Sequence, residues 1–343
     1  MKRLTVSRFT SIALLATFIL GSIVTAEAQN RWSRKAKETY YPSSIDNSQQ
    51  PSLVYAPKGN KGKRPLLVAL HTWSDDFKQE GGQPLFGKWC IQNDWFMIHP
   101  NFRGKNRTSK ALGSELAVGD IVSAVDYMKS KYNVDEDRIY LVGVSGGGHM
   151  SLLMAGLHPE IWAGVSAWCG ITDIQAWWEQ KSAVGPKRYA TEIESACGGK
   201  PGIDLDATKQ ARARSPLSFL ENAGTVTLDI NHGIDDGRKG SVPFTHSLNA
   251  FNLVVTESDR ISKGDIKDFY DTQQVPVGLH SDNLVDPVYG KKNPIYRKTT
   301  THSRITVFKG GHEIIHEAAL NWLSLQTKGK PAAWNVTNHI KIK

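Results

Sequence analysis

The chain has 343 residues, a formal net charge of +9 and 40% hydrophobic residues. That length and apolar content suit one large α/β domain with insertions or two small domains, and one domain is the expectation. Its basic residues are scattered and no nucleic-acid motif occurs, so the charge serves solubility or attraction to anionic polymers and envelope surfaces, with no nucleic-acid partner expected.

Residues 1–28 combine a basic start (Lys2, Arg3, Arg8), an apolar stretch over 12–24 and the small-residue end Ala26-Glu27-Ala28. The pattern reads as a secretory signal peptide cleaved near Ala28, so the mature chain is expected to be secreted or periplasmic. Removing that leader with its one acid leaves a charge of about +7, still clearly basic. No later run is long and uncharged enough for a membrane span. The three cysteines are an odd number, so an oxidising compartment allows at most one internal bridge, and Cys169 with Cys197 is the better candidate pair. No Cys/His spacing resembles a zinc site, and neither a metal nor an organic cofactor is implied.

A polar leader (29–50) precedes the expected catalytic domain (51–330) and a C-terminal tail (331–343). Strands are predicted at 52–56, 65–71, 95–99, 138–144, 163–169, 226–232 and 304–309, several as continuous apolar runs of the kind covered on both faces. Helical stretches fall between them at 120–131, 149–157, 245–255 and 313–325. This alternation predicts an α/β fold with a doubly wound, mainly parallel sheet. Two segments, 173–222 and 257–303, exceed what a crossover needs and are expected to be functional inserts.

The fourth apolar run feeds into Gly143-Val144-Ser145-Gly146-Gly147, with a helical stretch directly behind. A serine hydroxyl is a weak nucleophile until a base takes its proton, and a tight strand-to-helix turn lifts it clear of the sheet to where a base can reach. The base then needs a carboxylate to fix its tautomer. Asp235 and Asp236 follow the sixth run, and Gly310-Gly311-His312 follows the seventh, giving the chain order Ser, Asp, His. Among eleven histidines only His312 combines a strand end, a flexible glycine approach and a position after the acid. His71, His99 and His232 also end strands and are expected to serve as structural hydrogen-bonding groups. The expected oxyanion donors are the backbone N–H groups of Gly146, at the positive end of the helix, and of Trp73, in the loop after the second run. His149 is a candidate pocket wall. Of Trp177 and Trp178 in the first insert, which cannot both face one side of a helix, one is a candidate for substrate contact.

These features resemble the prolyl-oligopeptidase-like branch of the α/β-hydrolases, a branch that includes peptidase catalytic domains and many secreted serine esterases. The resemblance runs from about Leu53 to Leu325. It rests on Pro100-Asn101-Phe102-Arg103-Gly104, Val134-Asp135-Glu136-Asp137-Arg138-Ile139, the elbow with Gly148-His149-Met150, His232-Gly233-x-x-Asp236 followed by Val242-Pro243, and Gly311-His312-Glu313. The resemblance implies a Ser145–His312–Asp236 triad, with Asp236 preferred to Asp235 because the family's acid stands four residues after the motif histidine. Three departures stand out: His71-Thr72-Trp73 where many relatives have His-Gly-x, extra residues Gly237 to Ser241 before Val242-Pro243, and about 24 residues between the leader and the first strand, too few for the β-propeller of the family's oligopeptidases.

The expected function is hydrolysis of carboxylic esters, on carbohydrate or small acyl or methyl ester substrates, through an acyl-enzyme. A serine peptidase acting on small peptides is the second reading. An inactive hydrolase fold serving as a binding protein is the third.

Overall fold

The computed structural model describes residues 31–343 except 60–61, 185–186 and 283, so the expected signal peptide lies outside the described residues. Six strands form a parallel core: β4 (Phe96–Pro100), β3 (Arg64–Leu70), β5 (Val134–Val144), β6 (Gly164–Trp168), β7 (Leu228–Gly233) and β9 (Ser303–Phe308), side by side in that order. Antiparallel β2 (Gln49–Tyr55) and β1 (Lys37–Pro42) extend the β4 edge, and antiparallel β8 (Pro294–Thr299) closes the other. Every residue of β3, β4, β6, β7 and β9 is buried, as strands under two helical layers are, and the charged residues Asp229 of β7 and Arg304 of β9 are buried as an ion pair at 2.8 Å. The edge strands β1 and β8, absent from the sequence prediction, read Lys-Glu-Thr-Tyr-Tyr-Pro and Pro-Ile-Tyr-Arg-Lys-Thr. Polar side chains and prolines suit strands with one unpaired edge and carry no apolar run to detect.

One layer of core packs α2 (Glu115–Lys131), α3 (Gly146–Leu157) and α7 (Thr245–Leu253) on the sheet; the other packs α1 (Pro84–Asn93) and α9 (His316–Leu323). Ser114 caps α2 by accepting the Ala117 N–H, which sets its start five residues before Asp120, where the apolar periodicity alone would begin it. The last helix begins at His316, three residues after the predicted start, leaving His312 in a free-standing loop beyond β9.

The first insert folds as α4 (Ile174–Ala183), α5 (Arg188–Cys197) and α6 (Leu205–Ala213), with its own apolar cluster around Ile174, Trp177, Trp178, Ile193 and Ala211. That cluster includes Trp73 from the loop after β3, so the insert is seated over the carboxyl ends of the strands. The second insert contributes α8 (Lys263–Thr272), a short turn at Pro287–Tyr289 and β8. Among the described residues no helix is long and apolar enough to cross a membrane.

Candidate active site

Ser145 sits between β5 and α3 with φ 61° and ψ −120°, a backbone state that an L-residue adopts only under constraint. The constraint is packing: a Cβ on Gly143 would fall 2.4 Å from the carbonyl of Gly147, so only glycine lets the chain fold back this closely. The Ser145 N–H donates to Trp168 O at 2.8 Å, tying the elbow to β6.

Asp236 lies in the turn after β7 and is fully buried. Its Oδ2 accepts from His312 Nδ1 at 2.6 Å and from His232 Nε2 at 2.9 Å; its Oδ1 accepts the backbone N–H groups of Gly237 and Val242 at 2.9 and 3.1 Å. Burial alone raises this carboxyl's pKa, but the bonds from both imidazoles outweigh it and hold the group well below the usual carboxylate range. His232 Nε2 faces two acceptors, Asp236 and Val242 O, and so carries the ring proton, while Nδ1 accepts from the Ser247 hydroxyl at 2.7 Å. The extra residues 237–241 wrap the acid: a Cβ on Gly240 would strike Asp236 Oδ1 and approach His312 Cβ. Asp235 is partly exposed and pairs with Lys239 at 3.6 Å, away from the imidazole.

Cys169 Sγ, His232 and Asp236 bring ligand atoms within 4.8 Å of one another, a spacing that a metal ion could bridge. The Asp236 oxygen is, however, engaged by two imidazoles, and the Cys169 thiol faces the carbonyls of Gly311 and Glu313 with its pKa pushed well up by burial. A neutral thiol and a saturated carboxylate make a poor ligand set.

Ser145 and His312 line one cleft of about 350 Å³, together with Trp73, Thr72, Gln79, Gln83, Tyr189 and His316. On one side the backbone of Trp73 abuts the elbow: a Cβ on Gly146 would lie 2.5 Å from Trp73 N. Gly146 opens α3, so its N–H has no acceptor within the helix. The Pro100-Asn101-Phe102-Arg103-Gly104 motif supports this loop from behind. Asn101 O and Thr72 O each lie 2.9 Å from a ring nitrogen of His71, and the Phe102 ring stacks on His71 at 3.8 Å. Burial lowers the His71 pKa, against the raising effect of these two carbonyls.

Three expectations are corrected. Trp177 and Trp178 are both buried and neither reaches the cleft; their indoles donate to Ser241 O and Glu194 instead. They share a buried environment because α4 is covered by α5 and α6 as well as by Trp73. His149 is no pocket wall: it is fully buried, with Nε2 2.7 Å from Arg214 O and burial pulling its pKa down to about 4. Cys169 and Cys197 are free thiols in separate apolar clusters, Cys169 beside the sheet and Cys197 inside the insert. His316, at the start of α9, also lines the cleft, with a buried Nε2 and a pKa pulled down to about 4 by burial.

The aromatic ring that the insert does bring to the cleft is Tyr189, which packs on Trp73 and Trp177 at 6.2 and 5.0 Å. Sequence reading passed over it because a lone tyrosine at a helix start gives no periodic signal. Gln79, Gly82 and Gln83 were missed likewise; they belong to an irregular segment whose fold depends on long-range partners.

A parallel sheet with a strained serine at a strand-to-helix turn, and an acid-bound histidine from two later strand ends, defines an α/β-hydrolase. The prolyl oligopeptidase family model matches residues 88–263, and the chain belongs to that family. It is similar to poly(3-hydroxyalkanoate) depolymerase C of Paucimonas lemoignei, 27% identical over 53% of this chain and 43% of the relative. It is also similar to feruloyl esterase B of Neurospora crassa, 27% identical over 47% of this chain and 54% of the relative, and to dipeptidyl-peptidase 5 of Porphyromonas endodontalis, 27% identical over 58% and 27%. The chain thus spans about half the length of the first two curated relatives. A post-proline cleaving enzyme from Rickettsia typhi shares the fold, with a TM-score of 0.51 and 18% identity over 64% of this chain and 31% of that one.

Proposed function

We propose that the protein is a serine hydrolase that cleaves carboxylic esters through an acyl-enzyme. The observation that carries this reading is the 2.6 Å bond between His312 Nδ1 and Asp236 Oδ2, in a loop whose histidine shares a cleft with Ser145. With Nδ1 donating to the carboxylate, Nε2 is the ring's free base. In the first step Ser145 Oγ bonds to the ester carbonyl carbon while Nε2 takes the hydroxyl proton. The tetrahedral oxyanion is held by the N–H groups of Gly146 and Trp73. As the ester C–O bond breaks, Nε2 returns the proton to the leaving alcohol; a water then repeats the sequence and releases the acid.

Ester substrates are supported by the relatives, whose names include feruloyl esterase and acetylxylan esterase. A carbohydrate-linked or small acyl ester suits the cleft, where Tyr189 offers aromatic surface and the Thr72 hydroxyl a hydrogen-bonding group. The peptidase reading is supported by the family and by the dipeptidyl-peptidase relative. Export through the basic and apolar leader belongs to the same proposal, and N-terminal sequencing of protein recovered outside the cytoplasm tests it.

The discriminating assay compares short-chain p-nitrophenyl esters, acetylated xylan and feruloyl esters with aminoacyl nitroanilides. Higher kcat/KM on esters is expected. Higher kcat/KM on the anilides would replace the ester reading by the peptidase one, and no turnover of either class would favour a binding role.

A further inference from the structure

We propose that Gln79 is a positioning residue for the oxyanion site, acting through Thr72. The inference rests on the serine-hydrolase reading above and adds a residue that the triad and its two backbone donors do not include. Thr72 stands immediately before Trp73, at the position where many relatives have glycine. Its backbone N–H donates to Gln79 Oε1 at 2.8 Å, and its hydroxyl Oγ1 accepts from Gln79 Nε2 at 3.0 Å. One side-chain amide therefore grips one residue by both a backbone donor and a side-chain acceptor, a closed ring that fixes orientation as well as distance.

The peptide geometry makes this grip relevant to chemistry. Thr72 C=O and Trp73 N–H belong to one planar trans unit and point in opposite directions, so whatever orients Thr72 also aims the Trp73 N–H. Without Gln79, Thr72 would keep only the contacts at its carbonyl, with His71 Nδ1 at 2.9 Å and the Asp75 N–H at 3.5 Å, and would lose those at its own N–H and hydroxyl. Gln79 is itself anchored, its N–H donating to Asp76 O at 2.9 Å and its carbonyl accepting from the Trp32 indole at 2.8 Å. An oxyanion donor must be in place before charge develops, because a donor that has to reorganise gives up much of its advantage.

The test uses the full chain with Gln79→Met, which keeps length and volume and removes both hydrogen bonds, beside Thr72→Val, which removes only the hydroxyl. The active fraction of each is counted by endpoint titration with a fluorophosphonate. Gln79→Met is expected to lower kcat on a p-nitrophenyl ester about tenfold with KM within twofold, because the loss falls on the transition state. An alkyl boronic acid, which carries a tetrahedral oxyanion, is expected to bind about tenfold more weakly. Thr72→Val is expected to fall between wild type and Gln79→Met, and the double variant to be no worse than Gln79→Met. Unchanged kcat in folded Gln79→Met, or a rise in KM with unchanged boronate affinity, would overturn the proposal while leaving the triad reading intact. If Gln79→Met fails to fold, an unchanged kcat and boronate affinity in Thr72→Val overturns it. Turnover by wild type that survives Ser145→Ala would defeat the underlying reading, and this inference with it.

Discussion

A methyl group on Gly146 would lie 2.5 Å from the backbone nitrogen of Trp73 and 2.6 Å from its Cα. Gly146 and the loop after β3 thus approach one another through backbone, which under the proposed mechanism would let two N–H groups from distant parts of the chain address one oxygen. Gly146→Ala must push that loop away, and is expected to lower kcat by about 10²-fold, the size of losing one oxyanion donor. Steady-state kinetics on the soluble variant checks this; kcat within threefold of wild type would show that the approach is not used.

Asp236→Asn separates the tautomer argument from the packing argument. The asparagine oxygen would take the Gly237 and Val242 N–H groups, leaving its NH₂ to face both imidazoles. His312 Nδ1 then has to accept, the ring proton moves to Nε2, and the base for Ser145 is lost. The expected outcome is a fall in kcat on the order of 10³–10⁴-fold with near-native circular dichroism. Asp235→Asn, at an exposed carboxylate bound only to Lys239, is expected to leave kcat within twofold.

Much of this site was readable from sequence, and the division is physical. The six parallel strands were visible because each carries a core of buried apolar residues, even where the buried pair Asp229 and Arg304 interrupts it in β7 and β9. Ser145, Asp236 and His312 stood out as candidates because each follows one of these strands in a glycine-bearing turn. Gln79 and Tyr189 were not, since a loop amide bonded seven residues back and a single ring at a helix start leave no periodic trace. Trp177 and Trp178 misled for a related reason. Residues 177 and 178 lie only about 100° apart around α4, so one broad buried stripe takes both rings while Glu179 and Gln180 meet solvent.

Trp177 ties the insert to the loop after β3: it is 1% exposed, meets Trp73 edge-on at 4.8 Å and donates to Ser241 O at 3.0 Å. Trp177→Ala is expected to cost about 3–5 kcal/mol by opening a cavity, and to raise KM as Tyr189 loses its backing. Trp177→Phe, which keeps most of the volume and drops the hydrogen bond, should cost about 1 kcal/mol. Denaturant midpoints measure both; equal stability of Trp177→Ala and wild type would contradict the packing account.

Acid stability follows from the buried histidines. Burial lowers the pKa of His99 and His246 to about 3 and of His149 to about 4. An unfolded chain returns each to about 6.5. Between those values the unfolded state binds more protons than the folded one, so stability rises with pH and is lost as pH falls from about 6.5 toward 3. Melting temperature should drop steadily across that window, and His149→Gln should flatten the slope. A melting temperature that stays level from pH 6.5 to 4.5 would contradict the burial of these rings as neutral groups.

The central claim is that Ser145 is the nucleophile of a working triad, and the most direct measurement is peptide mapping of the protein after reaction with a fluorophosphonate. The account predicts one stoichiometric adduct on the peptide carrying Ser145, its loss in Ser145→Ala and its strong slowing in His312→Ala, with ester turnover abolished in the first variant. A folded wild-type protein that stays unlabelled at Ser145, or a Ser145→Ala protein that still hydrolyses esters at the wild-type rate, would contradict it.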